Sequence, residues 1–170
     1  MPPSPGPRRS LAHSLALPIR PSHEPQDVHV LLVDDNDINL KILATFMRKI
    51  GCSYETASNG LIALEKYKAS KRRFDFVLMG QSILIPVISK GCSPADFFLL
   101  DISMPVMDGL VSTSKIRQHE KENGLEPSCI MAVTGVASDA MQQQALAAGI
   151  NDYLIKPLSL QELKKIMSVT

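Results

Sequence analysis

VHVLLVDDNDIN, residues 28–39, is an apolar run of strand length that breaks on two adjacent acids and then opens into a helical pattern. Six residues without polar alternation, bounded by a turn, are the mark of a strand buried on both faces, as in a parallel sheet covered by helices. Past the acids, Ile42 or Leu43, Phe46, Met47 and Ile50 recur at helical spacing, and Gly51 supplies a left-handed stop. One βα unit is therefore legible in the first stretch of pattern.

The same alternation continues. A short strand is expected at 53–56 and a helix carrying Leu61, Leu64 and Tyr67, entered through Ser58 and Asn59 and closed by Lys71, Arg72 and Arg73. A third helix is expected at 110–117, a buried strand at 129–134, a fourth helix at 137–148 ending at Gly149, and a strand at 152–155. The last helix, 160–167, sets Leu160, Leu163 and Met167 on one face and stops close to the end of the sequence, so no effector domain is expected after it. Alternating strands and helices predict an α/β doubly wound parallel sheet, whose ligands sit beyond the carboxyl ends of the strands.

Bulk composition narrows the options. With 170 residues, 45% of them hydrophobic, and a net charge of +1, the chain can build one core and has no global pull toward nucleic acid or an anionic membrane. Neither partner is expected. Cys52, Cys92 and Cys129 are an odd number without metal-ligand spacing, which suits a reducing, cytoplasmic setting, with the nucleus as an alternative. Residues 1–26 are rich in Pro, Ser and Arg and lack periodicity; a disordered leader or linker is preferred to a transit peptide because the prolines break an amphipathic helix. The domain is expected over 27–170.

The chemistry gathers at the expected strand ends. Asp34 and Asp35 end the first strand, Asp101 ends another apolar run, Thr134 ends the strand at 129–134, and Lys156-Pro157 follows the last one. Carboxylates converging in one crevice repel unless a cation lies among them, and hard oxygen donors favour Mg²⁺. A metal beside a carboxylate, a lysine and a hydroxyl can stabilise a phosphoryl group under attack, with Asp101 the best-placed nucleophile. Each residue alone has a plainer explanation: Asp34-Asp35 as a helix cap, Thr134 as a strand end, Lys156 as a solvated charge, Tyr153 as half-buried packing. The conjunction carries the functional expectation.

LLVDDNDIN, DISMPVMDG, MAVTG and NDYLIKP together resemble the receiver domains of response regulators and, most closely, of eukaryotic, fungal-type hybrid histidine kinases. The resemblance runs from about Val28 to Met167, less one inserted stretch. It implies a flavodoxin-like (βα)5 fold, a three-layer sandwich with strand order 2-1-3-4-5. It also implies a phosphorelay switch rather than an enzyme in the ordinary sense, taking a phosphoryl group from a histidine kinase or histidine-phosphotransfer protein. Carried over by position, Asp101 is the phosphoacceptor. Mg²⁺ is held by Asp35 directly, by Asp34 through water, by Asp101 and by the main-chain carbonyl of Ser103. Thr134 and Lys156 meet the phosphoryl oxygens, a cis bond precedes Pro157, and Tyr153 is the rotameric switch coupled to Thr134. Gly135 leaves access to the site and Val136 cannot hydrogen-bond an attacking water, so a long-lived acyl phosphate is expected. A phosphatase-like hydrolase would want an acid where Ser103 stands; a phosphorylation-silent interaction module is the other rival.

One departure interrupts the pattern. Residues 74–79 read as the strand that should run into the phosphoacceptor, yet Asp101 arrives only after 80–100. Removing that stretch leaves FDFVLMDISMPVMDG, a seamless receiver strand and loop. A translated, unspliced intron is the preferred explanation over a loop of this length, since permitted codons for Gly80 and for Leu100-Asp101 allow splice-site dinucleotides. If the stretch is translated, 96–100 is expected to form the central strand, because that choice sets Asp101 at a strand end. Residues 74–90 would then be a loop or an added edge strand.

Overall fold

A computed structural model describes residues 24–80, 107–135 and 139–168. Its elements in chain order are β1 (His29–Val33), α1 (Asp37–Ile50), β2 (Ser53–Ala57), α2 (Gly60–Ala69), β3 (Phe76–Gly80), α3 (Gly109–Glu122), β4 (Cys129–Thr134), α4 (Asp139–Ala148), β5 (Asp152–Ile155) and α5 (Leu160–Ile166). All four strand pairings are parallel, and the order is β2-β1-β3-β4-β5. This is the expected doubly wound sheet.

Local chemistry accounts for the boundaries. Asn36 caps α1 by accepting from Ile38 N and Asn39 N, and Gly51 ends the helix at φ 91°, a conformation that costs glycine least. Asn59 caps α2 and Ser159 forms a capping box with Glu162 on α5. Helix α3 runs five residues past its expected end at Arg117, because Glu120 on the added turn is buried and hydrogen-bonded rather than solvated. Lys71, Arg72 and Arg73 lie beyond α2 instead of closing it. Arg72 reaches the carbonyls of Gln26 and Asp27, and it pins a 3-10 turn at Pro25–Asp27 that brings Pro25 and Gln26 into the ordered fold. Residues 1–23 lie outside the described residues.

Each face of the sheet has its own core. Val30, Leu32, Leu78, Met131 and Val133 pack under α1 and α5 through Leu43, Met47 and Leu163. Leu31, Val33, Val77, Met79, Ile130 and Ala132 pack under α2, α3 and α4 through Leu64, Tyr67, Ile116 and Ala145. Strict alternation along β1, β3 and β4 feeds both layers, which is why these strands are apolar throughout.

The central strand corrects the sequence expectation. β3 is Phe76–Gly80, paired with β1 from Val30↔Phe76 to Val33↔Met79 and with β4 from Phe76↔Cys129 to Gly80↔Val133. The preference for 96–100 rested on Asp101 alone, whereas the lead-in to 76–80 is tied down by contacts that its apolar pattern does not advertise. Asp75 accepts from His29 N at 2.9 Å, its own N–H donates to His29 O, and its carbonyl accepts from Cys129 N. Phe74 is 1% exposed and stacks on His29 at 4.6 Å. Residues 96–100 lie outside the described residues.

Candidate functional site

The order β2-β1-β3-β4-β5 makes the chain reverse direction across the sheet between β1 and β3, so a crevice opens at their carboxyl ends. Asp34 follows β1 directly. It is 3% exposed, and both oxygens of its carboxylate are engaged. Oδ1 accepts from Asn36 N at 2.9 Å and from Asn39 Nδ2 at 3.1 Å; Oδ2 accepts from Asn39 Nδ2 at 3.2 Å and from Lys156 Nζ at 3.0 Å. The Lys156–Asp34 ion pair joins the ends of β1 and β5 across the sheet. Buried carboxylates need such compensation.

Asp35 is exposed beside Asp34. Thr134, the last residue of β4, is 4% exposed, and its carbonyl accepts from Lys156 N at 2.7 Å, which fixes where the lysine leaves β5. The Lys156-Pro157 peptide is cis. Tyr153 stands on β5 half-buried against the core beneath α2, α3 and α4. Asp34, Asp35, Thr134 and Lys156 are thus brought to one end of the sheet. Asp101 and Ser103 lie outside the described residues, as does Val136.

Two residues at this site were not singled out from the sequence. Gly80 ends β3 in the crevice, so close to its neighbours that a Cβ there would lie 2.7 Å from Val33 O and press on the Asp34 carboxylate. Asn39 is the other; its only sequence signal is its place three residues after a helix cap, from which a side chain can turn back over the helix start.

Hard carboxylate oxygens are the donors in this crevice, and Asp34 already accepts a cation at 3.0 Å, so the residues fit a small divalent ion such as Mg²⁺. Among the described residues no group of three or more His, Cys, Asp or Glu side chains is arranged to hold a metal. The third carboxylate of the expected set is Asp101.

Comparison with known proteins bears on this geometry. The sequence family described as "Response regulator receiver domain" matches residues 87–168, a stretch that contains Asp101, Thr134 and Lys156. A co-crystal structure of the Saccharomyces cerevisiae histidine phosphotransfer signaling protein Ypd1 and the receiver domain of its downstream response regulator Ssk1 matches at 31% identity and a TM-score of 0.64, over 83% of this chain and 86% of that one. The chain belongs to the response regulator receiver domain family. The receiver domain of sensor histidine kinase PA1611 from Pseudomonas aeruginosa, solved with a magnesium ion in its active site cleft, aligns over 82% of this receiver and 93% of that chain, at 27% identity and a TM-score of 0.60. Response regulator mcs4 of Schizosaccharomyces pombe is 35% identical over 161 residues, 81% of this receiver and 26% of mcs4. Hybrid signal transduction histidine kinase G of Dictyostelium discoideum is 34% identical over 145 residues, 84% of this receiver and 4% of the kinase. The receiver therefore spans a small part of these last two, longer relatives, and its place is in two-component signalling. No helix among the described residues is long and apolar enough to cross a membrane.

Proposed function

We propose that this receiver takes a phosphoryl group from a phosphohistidine onto the carboxylate of Asp101, with Mg²⁺ held by Asp34, Asp35, Asp101 and the Ser103 carbonyl. The observation that carries the reading is the Asp34–Lys156 pair, which unites an acid and an ammonium 122 residues apart at the carboxyl edge of the sheet. Bound among the carboxylates, Mg²⁺ would neutralise their repulsion and the charge on the phosphoryl oxygens. The Asp101 carboxylate forms the new P–O bond as the P–N bond to histidine breaks, and the imidazole nitrogen keeps the electron pair and gains a proton. Lys156 exchanges Asp34 for a phosphoryl oxygen, while the Thr134 hydroxyl donates to another. Movement of Thr134 opens space toward which Tyr153 turns, so the modification is read out at β5.

The donor would be a histidine kinase or a histidine-phosphotransfer protein. Ile38 and Ile42, 66% and 47% exposed and one turn apart on α1, border the Asp34 end of the crevice and offer such a partner an apolar footing. Residues 80–100 are read as an insertion, a retained intron by preference. What supports this is that the five strands and five helices seen among the described residues all lie outside 81–106. Excising 80–100 would join Asp101 to Met79 and so put the acceptor at the end of β3, where the Asp34 side chain and the Val33 carbonyl that now crowd Gly80 would have to shift to admit its Cβ. Labelling by acetyl phosphate or by a phosphorylated histidine-phosphotransfer protein, with and without residues 80–100, tests the whole reading. Mg²⁺-dependent label lost in Asp101→Asn is expected; absence of label from both chains would refute it.

A further inference from the structure

Asn39 is the third residue of α1, counted from the cap Asn36. A polar side chain at that position commonly turns back to bond the backbone N–H of the cap. Here that N–H is already given to Asp34 Oδ1, and the Asn39 amide passes over the cap to Asp34 itself, within 3.2 Å of both carboxylate oxygens. Asn36 Oδ1 in turn accepts from Asn39 N at 3.4 Å, which closes a ring of hydrogen bonds around the start of the helix.

We infer that Asn39 is a positioning residue for the cation site, holding the Asp34 carboxylate in its working orientation once Lys156 has left it. This rests on the proposed function, in which Lys156 changes partner. A carboxylate rotates easily about its last torsion, because that well is broad and two-fold. With the ammonium gone, the Asn36 N–H alone grips one oxygen and leaves the group free to turn. The Asn39 amide spans both oxygens and removes that freedom. Its neutrality matters as much as its reach: a cationic side chain in the same place would compete with the metal for Asp34, whereas an amide orients the acid and leaves its charge available.

The test uses the full chain. Mg²⁺ affinity of the unaltered protein and of Asn39→Ala is measured by calorimetry, alongside acetyl phosphate labelling as a function of Mg²⁺. Asn39→Ala is expected to weaken Mg²⁺ binding about tenfold, the scale of lost outer-sphere support. The Mg²⁺ concentration for half-maximal labelling should rise in step, with the rate at saturating Mg²⁺ within about twofold of the original. A merely structural role would lower the melting temperature without this split. The unaltered chain provides a second measurement that needs no variant to fold: the Asn39 side-chain amide resonances should shift as Mg²⁺ is added. Equal affinity in Asn39→Ala, or amide resonances unmoved while Mg²⁺ binds, overturns the inference. If the unaltered chain binds no Mg²⁺ and takes no label, the Asn39→Ala comparison is made in the chain lacking residues 80–100; if that chain is inert too, the proposed function itself fails and the inference falls with it.

Discussion

At the scale of single residues, the buried Asp34 carboxylate and the buried Tyr67 hydroxyl set opposite tests. Lys156 is paired with the Asp34 carboxylate on which the proposed cation would draw, so the lysine supports the metal-free protein and competes with the metal. Lys156→Met should therefore cost about 1–3 kcal/mol of stability without Mg²⁺, the scale of stripping a buried carboxylate of its partner while its neutral donors remain. It should also bind Mg²⁺ more tightly, and urea midpoints across a Mg²⁺ series would show both effects; a variant no less stable and no tighter contradicts this competition for Asp34. Tyr67 lies far from that site, at the other end of the sheet. Its hydroxyl donates to Glu120 Oε1 at 2.6 Å and bonds Ser128 Oγ, with Arg117 on the same glutamate. Burial first, then the bond to Glu120, pushes the Tyr67 hydroxyl up to about 12. A pKa raised in the folded state gives stability that is complete below the ordinary tyrosine value and drains away as pH climbs through the folded one. Between about pH 10 and 12, Tyr67→Phe should thus lose stability less steeply than the original chain, as denaturant midpoints at stepped pH will reveal.

At the scale of elements, most of the fold was legible. The bounds expected for β4 and β5 coincide with those observed, because each is an apolar run closed by Ser128 or Asn151 on one side and by a chemically distinct residue on the other. The capping residue Asn59 made the start of α2 readable for the same local reason. The central strand was not, since two runs of similar length and apolarity compete and periodicity cannot rank them. What separates them is tertiary: the Asp75 bonds to His29 and Cys129, and Phe74 packed between His29 and Tyr67. The choice is measurable. Leu78 is fully buried in β3, so Leu78→Ala should cost about 2–5 kcal/mol, as a cavity in a close-packed core does. If 96–100 held the centre of the sheet, the same change would fall on a displaced loop and cost almost nothing. Asn39 escaped notice for a related reason: its spacing from Asn36 marks a helix start, but the partner of its amide is known only once β1 and α1 are set side by side.

At the scale of the whole molecule, the connection from β3 to α3 and the acceptor's position pull in different directions. Joining two elements costs entropy that grows only with the logarithm of the chain length between them, so by length alone a connection with residues 80–100 costs about 1 kcal/mol more than one without them. Excision of 80–100 should return that much, a rise of roughly 2–8 °C in melting temperature if nothing else changed. Something else does change. The excised chain puts Asp101 where Gly80 now lets the Asp34 carboxylate approach the end of β3, so its Cβ pushes that carboxylate back, and a second acid there repels the first unless Lys156 or a metal lies between them. In the absence of Mg²⁺ the entropic gain and the new repulsion oppose each other, and the melting temperature should move little. With Mg²⁺ in excess the repulsion becomes attraction to a shared cation, and binding to the folded state adds stability by mass action. The excised chain should therefore show a larger Mg²⁺-induced rise in melting temperature than the full chain, and Asp101→Asn in the excised chain should abolish the difference. Equal rises in all three would mean that the carboxylate at the end of β3 contributes nothing to holding the metal.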